Sequence, residues 1–248
     1  MTYSPLEQFD IITLLPIRFL DLDFSITNST LYLAIALGTF SLLLRLSMKV
    51  PMIVPSLWQC FFEKYHIFLL TLTYQNLGKI GFKYYSLIFT VFSFILSCNL
   101  LGMVPYSFTV TSHMAVTFSL AFALFLGLTI VGLAKHKLHF FSLFVPSGAP
   151  KALLPFIVTI EVISYIARTF SLPIRLFANM MSGHTLLKII AGFGWTMITA
   201  GGALALFSVI PIALVFIITG LEIAVAILQA YVFTILLCIY LNDVIHLH

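Results

Sequence analysis

Charge is what this chain has least of. Only 8% of its 248 residues are Asp, Glu, Lys or Arg, against 61% hydrophobic. A soluble domain carries about a quarter charged residues, so this chain lacks the polar surface to stay in water and is read as an integral membrane protein. Segments of about ten residues with alternating polarity are missing as well, which excludes a membrane barrel and leaves helices. The formal charge of +4 does not mark a nucleic-acid binder, because the basic residues stand singly at the ends of apolar runs rather than clustered with aromatics. Cysteine is scarce: Cys60, Cys98 and Cys238 lie far apart without a CxxC pairing and read as packing residues. His246 and His248 have no further ligands beside them, so no metal site is expected, and no cofactor fingerprint occurs. A secretory signal is lacking too. The first 28 residues carry Glu7, Asp10, Asp21 and Asp23 against a single Arg18, where such a signal needs a basic start and an apolar core.

What is present is apolar sequence cut into lengths. A first span covers 30–46, followed by Arg45 and Lys49 at its end. The stretch 51–83 mixes Trp58, Phe61, Phe62 and Phe68 with Glu63, Lys64, Lys79 and Lys83; it is too polar to span and reads as an amphipathic piece on the membrane surface. Spans at 84–104 and 114–134 stop at Pro105 and at Lys135-His136-Lys137, each near the roughly twenty residues that cross a bilayer. Segments 151–193 and 203–241 are longer. As continuous helices of about 40 residues they would each reach roughly 60 Å, twice the hydrocarbon thickness of about 30 Å. Upright packing would demand a tilt of about 60°, beyond the usual range of about 0–40°.

The expected fold is therefore all-α, with about five membrane passages, a surface amphipathic helix and an acidic outer segment at 1–29. The last two helices form a long, steeply tilted antiparallel hairpin, reversing at Gly201-Gly202. No internal repeat is visible, and the chain reads as one domain. With five passages, Arg45, Lys49, Lys64, Lys79, Lys83, Lys135, Lys137 and Lys151 fall on one side and only Arg18 on the other. The excess of positive charge on the inner face then places the N-terminus outside and the C-terminus inside.

The hairpin segments carry Glu161, Arg168, Arg175, His184, Lys188, Glu222, Gln229 and Asp243. Each intramembrane charge costs about 3 kcal/mol or more, which makes it a functional candidate. Glu161, Arg168 and Arg175 recur every seventh residue and share one helical face, and Glu222, Gln229 and Asp243 nearly share another. Folding the hairpin about Gly201-Gly202 sets Arg175 opposite Gln229, Glu161 opposite Asp243, and His184 close to opposite Glu222. Two titratable stations would then flank one fixed cation. A guanidinium keeps its proton at any physiological pH, so it blocks a direct leak and attracts a mobile carboxylate. His184 stands nine residues after Arg175, on the opposite side of a straight helix; either Pro173 and Gly183 bend the chain, or Arg175 faces a partner while His184 faces a channel behind it. The second arrangement is favoured. Arg168 is read as balancing Glu161, and Lys188 as reaching the membrane surface.

The run Ser171-Leu172-Pro173-Ile174-Arg175-Leu176-Phe177-Ala178-Asn179-Met180-Met181-Ser182-Gly183-His184, with Glu222 and Gln229-Ala230-Tyr231, resembles the Arg-bearing and last helices of subunit a of the F-type ATP synthase. Pro5-Leu6-Glu7-Gln8-Phe9, Val104-Pro105-Tyr106-Ser107-Phe108, Phe141-Ser142-Leu143-Phe144-Val145-Pro146 and Ser164-Tyr165-Ile166-Ala167-Arg168 look like its fungal mitochondrial form. Bacterial relatives carry the acid and the histidine in exchanged places. The resemblance implies a non-catalytic stator beside a ring of c subunits, within a dimeric ATP synthase with other membrane and peripheral-stalk subunits and lipid, in the mitochondrial inner membrane. It places the N-terminus in the intermembrane space and the C-terminus toward the matrix. Protons would load through His184 and Glu222 and leave past Glu161 and Asp243, while Asn99, Asn179 and Gln229 hold water or orient the charges. It also implies a short leader, for which Met1-Thr2-Tyr3 is the one candidate.

Two other classes compete. A proton-coupled secondary transporter would show paired half-sequences and broken helices. A structural subunit of a respiratory assembly would have no reason for three matched polar layers.

Overall fold

The computed structural model describes residues 4, 6–19, 22–23, 25–47, 55–104, 107–137, 139–140 and 153–245. Among them the helices are α1 (Asn28–Ser47), α2 (Leu57–Leu77), α3 (Gly81–Gly102), α4 (Met114–His136), α5 (Leu154–Ala200), α6 (Gly202–Phe207) and α7 (Val209–Ile245). Among the described residues, five stretches are long and apolar enough to cross a membrane: Asn28–Ser47, Leu57–Gly102, Met114–His136, Leu154–Ala200 and Ala205–Ile245. The all-α membrane class stands. Two short antiparallel strand pairs in the N-terminal segment were not foreseen: Thr13–Leu15 with Ile26–Thr27, and Arg18–Phe19 with Leu22–Asp23. Lys49, the segment 141–152, His246 and His248 lie outside the described residues.

The length argument holds for the last helices. With 47 residues in α5 and 37 in α7, a rise of 1.5 Å per residue gives about 70 Å and about 55 Å. Pro155 sits in the first turn of α5, where its missing N–H has no intrahelical partner to lose, and Pro173 is buried inside the same helix. The reversal falls where the glycine pair foretold it: Gly201 and Gly202 have φ of 70° and 64°, a region that side-chain-bearing residues rarely enter. The second arm is interrupted once, at Ser208, between the short α6 and α7.

The chain divides into two compact units. The first comprises 1–39, 94–113 and 176–230, and the second 40–93, 114–175 and 231–248; α5 and α7 contribute to both. In the first unit, Asn28 ties the acidic segment to α1: its Nδ2 donates to the Asp10 carbonyl at 3.0 Å and its Oδ1 accepts from the Ile12 N–H at 3.3 Å. The loop after α3 is buried through Thr109, Thr111 and Ser112, with Thr109 Oγ1 donating to Ser112 Oγ at 2.8 Å. Ala226 and Ala230 of α7 are fully buried, small side chains that let helices approach closely.

In the second unit, α2 starts at Ser56, whose Oγ accepts from the Gln59 N–H at 3.3 Å, an N-cap that satisfies one orphan donor. It packs antiparallel on α3, with Tyr65 and Ser93 hydroxyls 2.7 Å apart and Tyr85 Oη 2.6 Å from His66 Nδ1. Phe40, Phe89 and Phe92 surround Tyr65 edge-on or tilted. Leu69, Ile88, Phe233 and Leu241 form its buried core. Lys135 Nζ and His136 Nε2 both reach the Ile245 carbonyl at 3.1 Å, so side chains from α4 cap the end of α7, where the helix dipole favours the Lys135 ammonium. In the first unit, Leu206, Phe216 and Ile217 leave two thirds or more of their surface uncovered, the expected state of a lipid-facing wall.

Candidate functional site

The first unit gathers five of the eight candidate residues. On α5, Asn179 and His184 are half-buried; on α7, Glu222 is 8% and Gln229 4% exposed, and Asn99 of α3 is fully buried. Asn99 Nδ2 donates to the Ala226 carbonyl at 3.2 Å, one helical turn beyond Glu222. Asn179 Nδ2 donates to Gln229 Oε1 at 3.1 Å. Five further atoms, Asn99 Oδ1, His184 Nε2, both oxygens of Glu222 and Gln229 Nε2, are buried without a protein partner. Buried polar atoms in native proteins are nearly always bonded, and a buried carboxylate is among the costliest to leave alone. Five such atoms in one unit describe a polar seam built for something other than packing.

Gly183 makes room for this seam. A Cβ built on it collides with Glu222 Oε1 and lies 2.8 Å from Cδ and 3.1 Å from Cγ. The carboxyl group therefore rests directly against the α5 backbone, one residue before His184. In the sequence Gly183 is marked only as a permissive position; nothing there identifies it as the seat of a side chain 39 positions away.

The second unit holds Glu161, Asp243 and Arg175. Here the expected layer of Glu161 facing Asp243 is filled differently, because Arg168 stands at both carboxylates: Nη2 is 3.7 Å from Glu161 Oε1 and Nη1 is 3.7 Å from Asp243 Oδ2. The Tyr240 ring lies 5.5 Å from the Arg168 Cζ, a cation–π distance. Arg168 thus does more than balance Glu161. Arg175, seven residues on, is exposed. Lys188 is half-buried.

Within the first unit, Gln229 accepts from Asn179, and Glu222 lies against Gly183, the residue before His184.

A family profile described as ATP synthase A chain matches residues 27–242. The chain is 52% identical over 245 residues to ATP synthase subunit a of Chondrus crispus, covering 99% of this chain and 97% of that one. It is 52% identical over 252 residues to subunit a of Marchantia polymorpha, covering all of both, and 48% identical over 252 residues to that of Brassica napus, covering 99% and 97%. A full-length match at this identity joins the arginine-bearing hairpin and the buried polar seam to one lineage: the chain belongs to the ATP synthase A chain family, the membrane subunit a of that complex.

Proposed function

We propose that this chain is the non-catalytic stator of the ATP synthase proton channel, loading and unloading protons on a ring of c subunits through two offset half-channels held apart by Arg175. The observation that carries this reading is the seam of Asn99, His184, Glu222 and Gln229, whose buried polar atoms have no protein partner. An imidazole and a carboxylate so placed are suited to hand protons on through water, as general acid and base groups do. Asn99, Asn179 and Gln229 orient them.

Glu161 and Asp243 are the second station, on the inner side. A rotor carboxylate travelling through lipid is neutral, because a low-dielectric medium disfavours its ion. Beside Arg175 the ion is favoured, so the proton departs inward past Glu161 and Asp243. Beyond Arg175 the rotor takes a new proton from His184 and Glu222. The guanidinium takes no part in the transfer, since it does not deprotonate. Each charge that crosses delivers about 2.3 kcal/mol per 100 mV of potential, and the covalent chemistry of ATP belongs to other subunits.

The setting that fits is the mitochondrial inner membrane, with the N-terminus in the intermembrane space, the C-terminus toward the matrix, and c subunits, peripheral-stalk subunits, lipid and a second complex as neighbours. Arg175→Ala in the assembled complex is expected to abolish ATP-driven proton uptake by proteoliposomes while subunit a is still incorporated. Coupled uptake at the unmodified rate would overturn the role given to Arg175.

A further inference from the structure

Arg168 is a charged side chain that the channel scheme leaves without work. It projects from α5 into the second unit between two acidic groups of different helices, using a different nitrogen for each: Nη2 toward Glu161 on α5 and Nη1 toward Asp243 on α7. Both separations are 3.7 Å, longer than the roughly 2.8 Å of a direct charge-assisted hydrogen bond. The pairs are thus electrostatic contacts rather than short bidentate hydrogen bonds. From α7, the Tyr240 ring lies 5.5 Å from the guanidinium carbon, three residues before Asp243 and on the same helix. The side chains are about a third exposed, 34% for Arg168 and 39% for each acid, and ion pairs this accessible contribute little to stability. What such a group does well is geometry: a rigid fork spans two acceptors, where a lysine offers a single point charge.

We propose that Arg168 is a positioning residue of the inner proton-exchange station. Its guanidinium clasps Glu161 and Asp243 across α5 and α7 and offsets their mutual repulsion, with Tyr240 steadying its plane, while each acid stays 39% exposed. Because an arginine does not give up its proton, the clasp organises the two acids without competing for the proton they pass. This rests on the reading of Glu161 and Asp243 as the inner station.

The test uses the whole complex in proteoliposomes, with ATP-driven proton uptake expressed per incorporated subunit a. Arg168→Gln is expected to lower uptake roughly tenfold and Arg168→Lys to fall between it and the unmodified complex, since the charge is kept and the fork is lost. In an Asp243→Asn background, Arg168→Gln is expected to add little further loss, because residues sharing one network are not additive. Full additivity, or unchanged uptake in Arg168→Gln, would overturn the clasp. Should Arg168→Gln fail to assemble, the lysine variant decides: reduced uptake supports the clasp and full uptake overturns it. Losses in Glu161→Gln and Asp243→Asn with none in Arg168→Gln sink the clasp alone, whereas full uptake in both acid variants sinks the inner-station reading and the clasp with it.

Discussion

Replacing Gly183 by alanine puts one methyl group where the structure has none to spare. The added Cβ would collide with Glu222 Oε1 and sit 2.8 Å from its Cδ and 3.1 Å from its Cγ. Carbon atoms rest about 3.5–4.0 Å apart, so the carboxyl carbon must retreat by roughly 1 Å. Glu222 is only 8% exposed, and that retreat presses on packed neighbours; overpacking of this kind costs about 1–3 kcal/mol, tolerable for assembly. The functional cost is larger, because a reacting group misplaced by about 1 Å loses up to about 100-fold in rate. Gly183→Ala is therefore expected to incorporate normally and to lower ATP-driven proton uptake by about 10- to 100-fold. Adding Glu222→Asp shortens the opposing side chain by one methylene and should restore part of the loss. Gly192→Ala is the control: its Cβ meets nothing within 4 Å, and its uptake should be unchanged. A Gly183→Ala complex that pumps at the unmodified rate would refute the claim that the Glu222 carboxylate must lie against this backbone.

Two further outcomes follow from the same structure. Lys188 stands outside both polar clusters, so Lys188→Gln should leave coupled uptake nearly intact; a large loss would give it a part in conduction. His113 stacks on Phe108 with ring centroids 5.0 Å apart, and burial lowers its pKa below the usual 6.5. A folded-state value below the unfolded one means the unfolded chain binds the extra proton first, so stability present above about pH 6.5 declines as the pH falls below it. Thermal unfolding of detergent-held complex from pH 7.5 to 5 should show this decline, with His113→Gln removing part of it; identical slopes would contradict the assignment.

Much of the fold could be read directly from composition. An 8% charged chain has one solvent available to it, and apolar lengths set what crosses and what must tilt. The reversal was legible because Gly201 and Gly202 are adjacent at the only place where two 40-residue arms of similar length meet, and their positive φ angles are what glycine is for. The N-terminal strand pairs were not legible: Thr13–Leu15 and Ile26–Thr27 are too short to show a period. The stretch 51–83 reads as a polar piece on the membrane surface, yet its Gln59 and Thr73 are buried, Gln59 Nε2 donating to Glu63 Oε1 and Thr73 Oγ1 to the Leu69 carbonyl, rather than arrayed toward water.

The candidate residues were found by their cost, since a charge in an apolar run is conspicuous in one dimension. Their partners were not. Which atom of Gln229 meets Asn179, why Glu222 needs a glycine behind it, and how Arg168 comes to stand at two acids all depend on the crossing and rotation of long helices about one another. Sequence fixes the residues along each helix and the medium they must inhabit; their pairing across helices is a property of three-dimensional packing, where a displacement of one turn exchanges every neighbour.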